Sequence, residues 1–201
     1  MIARLSAVFL VACTAVPAAA HAQDEAAVLL ADQQHRTTVG LAGLGGMAAW
    51  STASLVGGIV GVTQSEPGSQ QAWFHQLNAA WGGVNLSIFG VGLVATGITS
   101  QTPFADRDAL LKNGRTLATI YGVNAGLDVA YMTAGAIFTV LGRSGEAPRL
   151  AGYGPALLIQ GGALFVFDLV MMAFHLRRNA LLPAGAEAAI SVVPGGLYFR
   201  F

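Results

Sequence analysis

Asp128 lies in Y-G-V-N-A-G-L-D-V-A-Y (121–131) and Asp168 in F-V-F-D-L-V (165–170), two acids inside runs that are otherwise apolar. Two carboxyl groups at one depth of a membrane can share a proton, or hold a cation or the polar end of a ligand, and intramembrane ionisable residues are functional candidates by default. The same pair, with amides beside it, can equally serve as interhelical hydrogen-bonding glue that sets helix register. Asn124, Asp128 and Tyr131 fall at i, i+4 and i+7, so a helix puts them on one face, with Gly122 and Gly126 as a small-xxx-small ridge alongside. An acid at the bilayer centre costs roughly 2.5 to 3.5 kcal/mol on insertion scales, so this face is expected to meet protein and not lipid.

Further polar side chains recur at helical spacing. His75, Asn78, Gly82 and Asn85 run down one face of one apolar segment, and Gln160, Leu164, Asp168 and His175 down one face of another. Counting about 1.5 Å per residue along antiparallel helices places Asn124, Asp168, Trp50, Asp128 and Asn85 between roughly 13 and 21 Å from the face that carries the C-terminus. The candidate intramembrane cluster is therefore Asp128, Asp168, Asn124, Asn85 and Tyr131, with His75, Asn78, Gln160 and His175 as secondary candidates. His75 opens its segment and His175 closes its own, so they belong near opposite faces, roughly 30 Å apart, and cannot share a haem or metal. Trp73 and Tyr153 sit at segment ends as aromatic-belt anchors, whereas Trp50 and Trp81 lie deeper as packing residues. No nucleophile with a base, phosphate-cradling glycine loop or H-E-x-x-H pattern is present, so no catalytic residue, metal site or cofactor is expected.

Composition says what must position these residues. The chain of 201 residues is 54% hydrophobic and 10% charged, against about 25% charged in soluble domains, which places it in the membrane class. Ten Lys+Arg balance ten Asp+Glu, and that neutrality argues against nucleic acid as a partner. Residues 1–22 read as a cleavable signal peptide: Arg4 before an apolar core, Pro17 as a break, and Ala20-His21-Ala22 as the cleavage site. Two competing readings are a lipoprotein box ending at Cys13 and an uncleaved anchor helix. Cys13 is the single cysteine, so cleavage leaves none for disulfides or thiolate chemistry. Residues 23–38 form either an amphipathic helix at the membrane surface or a solvated leader.

Apolar segments at 39–62, 73–98, 117–141 and 155–176 each reach the length of about 20 residues that crosses the hydrocarbon. Lipid demands internal backbone pairing, so all four are expected to be helices. Short polar connectors carrying Pro67-Gly68, Pro103 and Pro148 force antiparallel neighbours, and the expected fold is all-α: an antiparallel four-helix transmembrane bundle over 39–178. Much of the glycine falls inside the segments, including Gly57, Gly61, Gly82, Gly83, Gly90, Gly97, Gly161 and Gly162, which favours tight packing over a wide pore. The tail, 179–201, reads as a short β-hairpin around Pro194-Gly195-Gly196 or as an extended tail.

Signal cleavage puts both mature termini in the periplasm. That side then holds Arg36, Arg107, Lys112, Arg115, Arg177, Arg178 and Arg200 against Arg143 and Arg149 on the other, the reverse of the positive-inside rule. The signal peptide takes precedence, with Asp106, Asp108 and Glu187 expected to pair some of these cations.

Three stretches, F-H-Q-L-N-A-A-W-G-G-V-N-L (74–86), N-A-G-L-D-V-A-Y (124–131) and G-Y-G-P-A-L-L-I-Q-G-G-A-L-F-V-F-D-L-V (152–170), together resemble a family of uncharacterised small bacterial membrane proteins. The resemblance implies a four-helix membrane protein over about residues 39–178 and carries no catalytic residues. The expected function is that of a non-enzymatic, structural or accessory protein of the bacterial inner membrane. The alternative is a small proton, cation or ligand binding membrane protein, related to transport, built on Asp128, Asp168, Asn124 and Asn85. Expected partners are the lipid bilayer, a second copy of the chain, or another membrane protein.

Overall fold

The computed structural model describes the backbone of residues 3–145, 147–182, 191–193 and 196–198, and side chains from 25 to 182 apart from residue 146. Four helices account for nearly all of it: α1 (Ala3–Gln64), α2 (Gln70–Thr99), α3 (Arg107–Ser144) and α4 (Pro148–Leu181). Each contains a stretch long and apolar enough to cross a membrane. Local chemistry sets the breaks. Gly68 adopts φ 76°, open to glycine at no steric cost, and Ser69 then caps α2 by accepting from the Ala72 N–H at 3.1 Å. Asp106 caps α3 in the same way through the Ala109 N–H at 2.8 Å, and Pro148 stands in the first turn of α4, where no N–H is missed.

α1 runs without interruption from the segment read as a signal peptide through the leader into the first span. The side chains of the proposed cleavage site and of Cys13 lie outside the described residues, as does Glu187. From Glu25 on, the leader is helical and mostly exposed, with a few polar side chains turned inward. Asp32, Gln33 and Arg36 are buried, while Val28 and Leu30 are exposed.

The helices pair as two antiparallel hairpins, α1 with α2 and α3 with α4, and α2 packs beside α4 to join them. Adjacency in sequence suggests α3 as the next neighbour of α2. In the structure, the backbones of α2 and α3 make no close approach among the described residues, though Trp81 reaches Tyr131 with ring centroids 5.2 Å apart. The reason lies in where the small residues fall. On α3, Leu111, Ala118 and Ala125, and likewise Asp128, Gly135 and Gly142, repeat every seven residues and are all buried. α4 answers with Gly154, Gly161, Asp168 and His175, again at intervals of seven and again buried. Such seams let two backbones run together as in a coiled coil. A Cβ on Gly135 would stand 2.8 Å from the Gly154 carbonyl oxygen. On the other hairpin, a Cβ on Gly58 or Gly82 would meet the backbone of Ala79 or Leu55. The open glycines include Gly57, Gly90, Gly97 and Gly126, so the Gly57/Gly61 and Gly122/Gly126 ridges contribute one close glycine at most each.

At the C-terminus, Ser191–Val193 and Gly196–Tyr198 pair antiparallel, three residues a strand. They meet no helix among the described residues, and two strands of that length without a packed face are marginal. A C-terminal hairpin as a structural part of the fold is therefore not supported, and the fold is the four helices.

Candidate functional site

Among the described residues, the buried interior holds as many polar or charged side chains as apolar ones, while many large apolar side chains are exposed. Gln160, 1% exposed, ties three helices together. Its amide nitrogen donates to Ser54 Oγ at 3.1 Å on α1 and to Asn78 Oδ1 at 2.7 Å on α2, and its Oε1 accepts from Trp50 Nε1 at 3.4 Å. Asn78 passes its own amide hydrogen to the Phe74 carbonyl at 2.9 Å. Each heavy atom of the Gln160 amide thus has a partner, which is the arrangement of glue and not of a vacant site.

Asp128 and Asp168 meet across the α3–α4 seam, two turns of α4 away from Gln160. Both are buried, and their carboxyl groups face each other closely enough to interact. Asp128 Oδ2 has no further partner, and Asn85 Nδ2, buried on α2, has none either. The candidate cluster is otherwise thinned. Asn124 is exposed, one residue off the Ala118–Ala125 seam, although Asp128 on the same face is buried in the α3–α4 contact. Tyr131 is half-buried against Trp81. The histidines stand apart as the residue count requires: a Cβ on Gly61, at the end of α1, would strike the His75 ring, while His175 stacks on Tyr121 at 5.9 Å and 10° between planes. Trp73 meets Tyr153 edge-on at 5.8 Å, and the Arg149 guanidinium lies 5.2 Å from the Trp73 ring.

A second polar cluster, at the His175 end, escaped the reading of the sequence. Asp32 accepts from Arg36 Nε at 2.5 Å and from Arg178 Nε at 2.7 Å, so one buried acid holds two arginines from α1 and α4. Arg36 also donates to Asn179 Oδ1 at 2.7 Å, and Asn179 to the Leu111 carbonyl at 3.0 Å. Gly114 makes room, since a Cβ there would collide with both Asn179 and Arg36. Gln33 closes the α2–α3 connector by donating to the Thr102 carbonyl and accepting from the Phe104 N–H, each at 3.0 Å. The partner of these arginines is Asp32, and Asp106 is occupied as a helix cap. The available signal was the D-x-x-x-R spacing of Asp32 and Arg36, which places both on one helical face.

Among the described residues no three His, Cys, Asp or Glu side chains converge as a metal site. No curated protein and no solved structure matches the chain. A family of unknown function (DUF6992) matches residues 46–169, more than half of the chain, from the span bearing Trp50 and Ser54 through Asp168. With that extent of match, the chain belongs to this family of unknown function.

Proposed function

We propose that the chain is an integral protein of a bacterial inner membrane with a structural or accessory role, its buried polar side chains fixing the register of four spanning helices. The observation that carries this reading is the inversion of the usual core. Gln160 and Ser51 are among the most deeply buried side chains, while Val91, Val94, Ile98, Val140 and Val170 are each more than 60% exposed. Monomeric soluble proteins rarely leave continuous apolar surface of that kind, and lipid accepts it. Exposed hydroxyls agree: Thr52, Ser87 and Thr133 each bond the carbonyl four residues back, at 2.9, 3.0 and 2.8 Å, which satisfies them without water. Placement of both mature termini in the periplasm rests on the signal peptide. It is supported by Asp32, which pairs with two of the arginines that otherwise weigh against it and offsets one of their charges. The expected result is that the protein stays with the membrane pellet through an alkaline carbonate wash and is released only by detergent. Release by carbonate alone overturns the reading.

One observation favours a second reading, a proton, cation or small-ligand site at Asp128 and Asp168: two facing carboxyl groups can bond only with a proton or a cation between them, and an amide donor on Asn85 of α2 is left unused. Asp128→Asn with Asp168→Asn keeps shape and hydrogen bonding. A cation bound by the native protein raises its stability by about 2.7 kcal/mol at a hundred times Kd, and the double variant shows no rise. Equal response of native and variant thermal midpoints to added Na+, K+ or Mg2+ removes the cation site.

A further inference from the structure

We propose that the cavity beside the Asp32 cluster binds an amphiphile with an anionic oxygen head group and an acyl chain, the head group held by Arg36. The cavity, about 610 Å³, opens between α1, the end of α2 and the start of α3. That volume is in the range of about 300 to 1,000 Å³ typical of small-molecule sites. Arg36, Asn113, Tyr121 and His175 belong to its polar lining, Leu44 and Leu117 to its apolar wall, and no acid lines it.

Charge and hydrogen bonding leave the same gap. Asp32 is one anion shared by two arginines, so the cluster retains one uncompensated positive charge. Arg36, only 6% exposed, keeps one terminal nitrogen of its guanidinium with no partner, and His175, 2% exposed, keeps Nδ1 with none. Buried charges and donors left this way are costly, and an arginine is suited to grip a carboxylate or phosphate through paired N–H groups. The acyl chain follows from position. Arg178, level with Arg36, lies ten residues along α4 from Asp168, or about 15 Å, so a head group here sits at the edge of the hydrocarbon with its chain free to run inward. This chain is the one part that rests on the membrane reading.

The test uses the full chain in nonionic detergent and native mass spectrometry with four probes: oleate, an oleoyl lysophosphatidate, oleyl alcohol and inorganic phosphate. Binding of oleate, the lysophosphatidate or both, at least tenfold tighter than the alcohol or phosphate, is expected, and the tighter of the two assigns a carboxylate or a phosphate head. Arg36→Gln lowers that preference at least tenfold. Gly40→Leu is the companion variant. Gly40 lines the cavity with nothing within 4 Å of an added Cβ, so leucine extends into the cavity and leaves Arg36 in place, and binding falls at least tenfold while the thermal midpoint holds. Equal binding of the alcohol, or undiminished binding by Gly40→Leu, overturns the proposal. Phosphate binding as tightly as the lipids overturns the acyl chain, and the carbonate wash remains an independent measure of the membrane reading.

Discussion

Asp32→Ala lowers the stability of the detergent-solubilised protein by about 3 to 5 kcal/mol, the usual loss when one partner of a buried ion pair is removed. The effect is large because the two arginines differ in their escape routes. Arg178 keeps 30% of its side chain exposed and can turn to water, but Arg36 is 5% exposed and stays behind as an uncompensated charge beside Gly114. Adding Arg36→Met to Asp32→Ala removes the stranded charge and recovers much of the loss, because exchanging a whole buried pair for apolar groups is often neutral. Thermal denaturation of the native protein, both single variants and the double variant, read as a double-mutant cycle, measures it. Equal stability of Asp32→Ala and native protein would show that the cluster is solvated and contributes nothing to α1–α4 docking.

Gly82→Leu has the second large effect. A Cβ on Gly82 falls on the backbone of Leu55, 2.8 Å from its Cα and 2.8 Å from the Ser51 carbonyl oxygen, so neither side can yield by rotating a side chain. α1 and α2 must separate, which costs more than the 1 to 3 kcal/mol or so of ordinary overpacking. The expected outcome is loss of a monodisperse peak in size-exclusion chromatography and a collapse in yield. Gly90→Ala is the control on the same helix. It meets nothing within 4 Å and gains up to about 1 kcal/mol of helix propensity in water, so it leaves the profile unchanged. If both variants behave alike, the α1–α2 approach is looser than described.

These residues also show what the sequence discloses and where it stops. Length and apolarity gave four helices, and the i, i+4, i+7 count gave the buried face of α2, where Asn78, Gly82 and Asn85 do point inward. Counting depth brought Asp128 level with Asp168 and separated the histidines. It could not supply rotation about the helix axis. A shift of one position moves a side chain by about 100°, which is the difference between buried Ala125 and exposed Asn124. Which glycines touch backbone is likewise a property of the partner helix, so Gly58 and Gly142 carry close approaches that Gly57 and Gly126 do not. The Asp32 cluster was hidden for another reason: its members, at 32, 36, 178 and 179, lie outside the apolar segments, where charge normally means solvent.

The pairing of α1 with α2 and of α3 with α4 has a consequence for how the molecule is made. Within each hairpin a helix forms its widest contact with the helix next to it in the chain, across a connector of a few residues, so each hairpin can close during synthesis without waiting for the other. What remains is a lateral docking step, and its latch is Gln160, which reaches from the second hairpin to Ser54 and Asn78 on the first. Without that docking the Gln160 amide loses Ser54 and Asn78, and Asp32 loses Arg178, so the polar side chains of both hairpins are matched only in the joined molecule.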